Sequence, residues 1–272
     1  MTADTGTGAV PGTPARPRRR GVWILLAAVT AVLMVAPIGF RVAAHAFRRT
    51  TTETTPYHLA IKDVRLDMGD ARVTVGAGPE GEGRVHKRLT WAPTKPTVNE
   101  SLVDGVLYIT FRCNSTVRIY GGLECGGDID VRVPRAARVS AVSESGQINV
   151  RGLTGDLDLR TGSGEIAVAD ARGRLRLRAN SGTVRGTGIA ASKTQAEVGS
   201  GELNLRYAEP PDIVDAAVGS GSARIIVPPG SHYRLVGPMP SHLGQAVVDD
   251  RSTRVISLRG GSGRTYLDYR DE

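Results

Sequence analysis

A chain of 272 residues with net charge +8, 40% hydrophobic but only 4% aromatic residues and 34 glycines can bury an aliphatic core but not a thick aromatic one. Seven Arg against Asp4 and Glu53 fall in the first 56 residues, leaving 28 basic and 25 acidic side chains beyond them. No basic stripe interleaved with aromatics appears, which argues against nucleic acid as a partner.

Residues 1–20 are rich in Thr, Gly, Pro and Arg without an apolar period, the composition of a disordered tail, here expected in the cytoplasm. Residues 22–40 carry no charge and follow Arg16, Arg18, Arg19 and Arg20, which predicts a transmembrane helix over residues 21–40 with the N-terminus inside. The rival is a signal peptide cleaved near Ala46, since Ala44-His45-Ala46 has the small-x-small form of a cleavage site. Either reading exports the rest of the chain, so the expected localisation is a single-pass membrane protein with an extracytoplasmic C-terminal domain, or a secreted chain. Residues 41–56, with their run of Thr, read as an exposed linker. Residues 57–272 are expected to form one β-repeat domain.

Within that domain Val64, Leu66, Ala71, Val73 and Val75 alternate around Gly69-Asp70, a degenerate copy of the unit that recurs from Ser145 onward. Residues 85–120 hold Trp91, Tyr108, Phe111 and Tyr120 off the period and read as longer strands or hairpins covering the first coils. Cys113 and Cys125 close a short loop; export favours a disulfide, while two thiols with no nearby His complete no zinc site and lack the C-x-x-C redox spacing.

From Ser145-Gly146 the pattern becomes regular. Ser-Gly recurs at Ser163-Gly164, Ser181-Gly182, Ser200-Gly201, Ser220-Gly221 and Ser262-Gly263, at spacings of 18, 18, 19, 20 and 42 residues. Self-similarity near 20 residues signals stacked units. Two and four residues past each Gly stand Ile148 and Val150, Ile166 and Val168, Val184 and Gly186, Leu203 and Leu205, Ala223 and Ile225. Six and four residues before each Ser stand pairs such as Leu157 and Leu159, or Leu175 and Leu177. Period-two alternation makes these two inward strands per unit, and a unit so small buries its apolar face only by stacking. The expected fold is all-β: a β-solenoid, or β-helix-like stack, of 18–20-residue units preceded by one transmembrane helix. The 42-residue interval is expected to hold about two units, one having lost its Ser around Gly244.

The run Ser145-Gly146-Gln147-Ile148-Asn149-Val150, the turn Gly155-Asp156-Leu157-Asp158-Leu159, the unit Thr161-Gly162-Ser163-Gly164-Glu165-Ile166 and the strand end Val131-Arg132-Val133-Pro134 resemble the bacterial putative-adhesin family of β-strand-repeat proteins. The resemblance covers roughly residues 57–268. It implies a surface-exposed β-solenoid, often on a membrane anchor, and transfers no catalytic or binding residue.

The residues themselves offer little chemistry. Gly199-Ser200-Gly201 and Gly219-Ser220-Gly221 lack the G-x-S-x-G spacing of a nucleophile elbow. His58, His86, His232 and His242 are scattered, Gly126-Gly127-Asp128 is a single copy of a calcium-repeat-like run, and the sequons at Asn99 and Asn114 are short enough to arise by chance. No catalytic residue, metal or cofactor is expected. The outer columns say more: Asp156 and Asp158 precede Arg174 and Arg176 by 18 residues, which sets acid over base between adjacent coils. Alternatively, Arg174, Arg176 and Arg178 form a face for an anionic ligand. The expected function is a noncatalytic, membrane-anchored, adhesin-like envelope protein whose partner is an envelope polymer or protein. The alternatives are a self-associating structural scaffold and, less favoured, a polysaccharide-cleaving β-helix enzyme.

Overall fold

In the computed structural model, residues 20–46, 48–58, 60–92, 94–113, 125–244 and 247–269 are described. The expected tail, the Asn114 sequon and Tyr120 lie outside them. The described residues fall into two compact units, divided after Ala46.

The first unit contains α1 (Arg20–Ala46). Among the described residues no helix is long and apolar enough to cross a membrane. The expected transmembrane helix over residues 21–40 is corrected accordingly. With it go the membrane as a partner, the single-pass localisation and the anchor attached to the family resemblance.

The second unit is all β. In chain order it contains β1 (Arg49–Tyr57), β2 (Asp63–Asp67), β3 (Arg72–Ala77), β4 (Gly83–Trp91), β5 (Thr97–Val103), β6 (Val106–Arg112) and β7 (Cys125–Val133). Next come β8 (Arg138–Ser143), β9 (Gln147–Arg151), β10 (Leu157–Thr161) and β11 (Glu165–Ala169). The long strands β12 (Leu175–Ile189), β13 (Lys193–Tyr207) and β14 (Ile213–Val227) each run on through their Ser-Gly corner. The chain ends with β15 (His232–Val236), β16 (His242–Leu243), β17 (Val247–Val248), β18 (Val255–Gly260) and β19 (Arg264–Tyr269).

Each coil contributes one strand to each of two ladders. In the first, Leu157 pairs in parallel with Val139 on one side and Leu175 on the other, and the line continues through Thr194, Val214 and Ile256. In the second, Ile148, Ile166, Val184, Leu203, Ala223 and Thr265 succeed one another. The inward residues of both lines are buried. A third inward column, Ser143 and Thr161 followed by Ala179 and Val198, escapes an apolar-only pattern. Ser143 Oγ and Thr161 Oγ1 are buried because they accept hydrogen bonds from the corner amides of Gly146 and Gly164, at 2.9 and 3.1 Å.

Both ends of the stack depart from chain order. The coil of β6 and β7 lies outside that of β2 and β3, whose other side receives β8 and β9. At the far end β18 and β19 stack directly on β14, and β15 and β16 pair outside them. The 42-residue interval therefore holds an excursion rather than an intervening unit. The linker expected over residues 41–56 also needs correcting: its Thr run forms most of β1, antiparallel to β4, which is antiparallel to β7. β-branched threonines suit an extended edge. Asp104 and Gly105, with φ of +50° and +77°, close the β5–β6 hairpin as a type I′ turn. Cys113 and Cys125 are joined in a disulfide.

Candidate functional site

The outer face of the first ladder is where the charged columns meet. The strands alternate, so the neighbours of the buried leucines point outward: Asp156, Asp158 and Arg160 flank Leu157 and Leu159, and Arg174, Arg176 and Arg178 flank Leu175 and Leu177. Parallel register then sets Asp158 across from Arg176 and Arg160 across from Arg178. A groove of about 550 Å³ crosses five coils here, with Arg65, Arg138, Asp156, Arg174 and Lys193 along it.

The charges in this groove are interleaved. Arg138 reaches Asp63 at 3.3 Å, Arg174 reaches Asp156 at 2.7 Å and Arg176 lies 3.6 Å from Asp158, which also holds Arg160 at 3.0 Å. Arg178 turns toward the next coil and meets Glu197 at 3.5 Å. The Arg174 guanidinium hydrogen-bonds the Asp156 carboxylate and holds its pKa below the ordinary range despite partial burial, with the Arg174 backbone N–H adding a further bond. All three arginines of the expected anionic-ligand face thus have carboxylate partners.

A second polar cluster sits at the end of the stack formed by β1, β4 and β5. Lys87 points to the core side of β4 and is 8% exposed. Its Nζ lies 2.5 Å from Glu100 on β5 and 3.3 Å from Glu53 on β1, and Tyr57 donates its hydroxyl to Glu100 at 2.7 Å. Burial and the Glu100 carboxylate push the Tyr57 hydroxyl pKa up. For Lys87, desolvation pulls the pKa down, but Glu100 and Glu53 outweigh it and the net direction is up. Because β4 pairs with β7 and β5 with β6, this network links a strand attached to the second ladder with one attached to the first. Period-two patterning missed Lys87 and Glu100 because their partners come from different strands; the Asp104-Gly105 turn was the signal that could have placed β5.

The corner serines form one exposed file, Ser181 across from Ser200 and Ser200 across from Ser220, so no single serine is set apart as a nucleophile. Asp128 of the calcium-like run pairs with Arg72 at 3.2 Å. Among the described residues no group of three or more His, Cys, Asp or Glu could hold a metal.

Residues 124–235 match the Toastrack DUF4097 family model. This stretch runs from β7 through most of β15. Among solved structures, a putative adhesin from Bacteroides fragilis is 14% identical, with 81% of this chain and 97% of that one covered and a TM-score of 0.47. A putative adhesin from Parabacteroides distasonis is 12% identical over 82% of this chain and 97% of that one, with a TM-score of 0.43. A putative cell adhesion protein from Clostridium sporogenes is 8% identical over 82% and 100%, with a TM-score of 0.34. No curated protein matches the chain.

Proposed function

We propose that the chain is a noncatalytic structural repeat that associates with copies of itself through β5. The observation that carries this reading is the contrast among the terminal strands. A sheet edge offers unpaired N–H and C=O groups to another chain, and proteins guard such edges with proline or with very short strands. β1 contains Pro56, and β16 and β17 are two residues each. β5 has seven residues and no proline, and among the described residues it pairs only with β6. Asn99, Ser101 and Val103 on it are exposed. An antiparallel pair of identical edges obeys two-fold symmetry, the commonest symmetry of homo-oligomers. On this reading the arginines of the first ladder tie coils together.

The test is mass against concentration by light scattering or sedimentation. The expected result is a rise from a 28.7 kDa monomer toward twice that mass, abolished in the Asn99→Lys, Ser101→Lys variant, which sets like charges across the pair. A monomer at every concentration, or dimers unaffected by the lysines, overturns the reading.

A further inference from the structure

On the second ladder the outward column past the Ser-Gly corner runs Asn204, Arg224, Tyr266 and His242, one from each successive coil. The Arg224 guanidinium lies over the Tyr266 ring, 5.4 Å from its centroid, and the His242 ring sits 6.0 Å from Tyr266 at an interplanar angle of 45°. The next outward column runs Arg206, Ile226 and Asp268. Arg206, Arg224, Ile226, His242, Tyr266 and Asp268 line a groove of about 500 Å³, within the size range of small-molecule sites.

The electrostatics here differ from those of the first ladder. Arg206 and Arg224 are exposed, and among the described residues neither has a carboxylate partner, whereas Arg174, Arg176 and Arg178 each do. Asp268 is the acidic group of the groove, but its Oδ1 accepts the Tyr269 N–H at 2.8 Å and its carboxylate packs against the Cα of Gly244, filling the space a Cβ would need. It is turned toward its own chain. Two cations are left facing the groove, one coil apart and two residues out of step, which places their Cα atoms about 8 Å apart. Long side chains bridge that gap easily. A guanidinium stacked on an aromatic ring keeps its N–H fork free and already oriented, the arrangement that grips an oxyanion through two parallel hydrogen bonds. Ile226 and the His242–Tyr266 pair add apolar and aromatic surface beside the fork.

We propose that this groove binds an acidic saccharide, its oxyanion held by Arg224 and Arg206 and its ring resting along Ile226 and His242. Coulomb attraction from two exposed guanidiniums recruits the anion and is screened by salt, while the ring surfaces give selectivity over a bare ion. A uronate and a sugar phosphate present the same oxyanion chemistry. Lysine in place of Arg224 would keep the charge but lose both the stacking plane and the fork.

The test is calorimetric titration of the full chain with galacturonic acid, glucose 6-phosphate, neutral galactose and inorganic phosphate, at low salt and again at higher salt. Expected is binding of at least one acidic sugar at least tenfold tighter than galactose or inorganic phosphate, weakened by salt. The preferred acid then identifies carboxylate or phosphate as the oxyanion. The Arg206→Gln, Arg224→Gln double variant should lose at least tenfold in affinity, Arg224→Lys should lose several-fold, and Arg174→Gln on the other ladder should lose nothing. Both groove arginines are exposed, so the variants are expected to keep the wild-type circular dichroism melt. Equal binding of galactose, equal binding of free phosphate, no binding of either acid, or an equal loss in Arg174→Gln each overturns the proposal.

Discussion

The carbonyl oxygen of Gly182 occupies the space where a Cβ on Gly201 would lie, one coil away. The same contact recurs between Gly146 and Gly164, Gly164 and Gly182, and Gly201 and Gly221. The second residue of each Ser-Gly pair is therefore fixed chiefly by the close approach of stacked backbones at the corner, to which Gly201 adds a φ of +136° that side chains disfavour.

Gly201→Ala is accordingly expected to destabilise the domain by about 1–3 kcal/mol, the scale of overpacking. Gly126→Ala, with nothing within 4 Å of the added carbon, should stay within about 0.5 kcal/mol. Chemical denaturation of both variants is the check, and equal costs would remove the stacking explanation.

Neighbouring residues on one strand should respond in opposite ways. Leu175 is 2% exposed and packed in register with Leu157, so Leu175→Asp buries an unpaired carboxylate and is expected to cost several kcal/mol or prevent folding. Arg176→Ala removes a 3.6 Å surface pair and should cost less than about 1 kcal/mol. Urea midpoints of the two variants measure the difference.

The Asp156–Arg174 pair predicts an acid-sensitive contribution. Because Arg174 lowers the folded-state pKa of Asp156 below its ordinary 3.8, the stabilisation is present above that value and is lost as pH falls through the folded pKa. Wild type and Arg174→Gln should differ slightly at pH 7, and the difference should shrink as pH falls below 3.8. The triple Arg174, Arg176, Arg178→Gln variant should retain wild-type binding to an anionic polymer resin if these arginines only tie coils, and lose salt-sensitive retention if they form a ligand face.

The Lys87 cluster predicts the opposite limb. Both Lys87 and Tyr57 have raised folded-state pKa values, from ordinary values of 10.5 and 10.0, so their stabilisation is complete below about pH 10 and declines as pH rises from there toward the folded values. Thermal melts above that pH should fall more steeply for wild type than for Tyr57→Phe. Parallel slopes would disconnect the cluster from alkaline stability.

Reducing the Cys113–Cys125 bond frees a loop with a sequence separation of 12, for which chain-entropy arguments give about 3 kcal/mol. The Cys113→Ser, Cys125→Ser variant should melt several degrees lower with an unchanged far-ultraviolet spectrum, and an unchanged midpoint would show that the cross-link does not stabilise the domain.

The sequence by itself determined the coil and its register. The spacing of the Ser-Gly pairs counts the residues in one turn of the stack, and period-two alternation assigns each side chain to core or solvent, so Leu157 against Leu175 and Asp158 beside Arg176 come from local order alone. Only the tertiary structure decided the order of coils at the two ends, where β6 and β7 pass outside β2 and β3, and β18 slips between β14 and β15. It also decided the sites built there: Lys87 meets Glu100 from a hairpin, and Arg224 meets Tyr266 across the excursion. The physical reason is that a repeat encodes contacts between successive units. At the ends of the stack the chain instead covers exposed edges with whichever distant segment buries them, and no spacing records that choice.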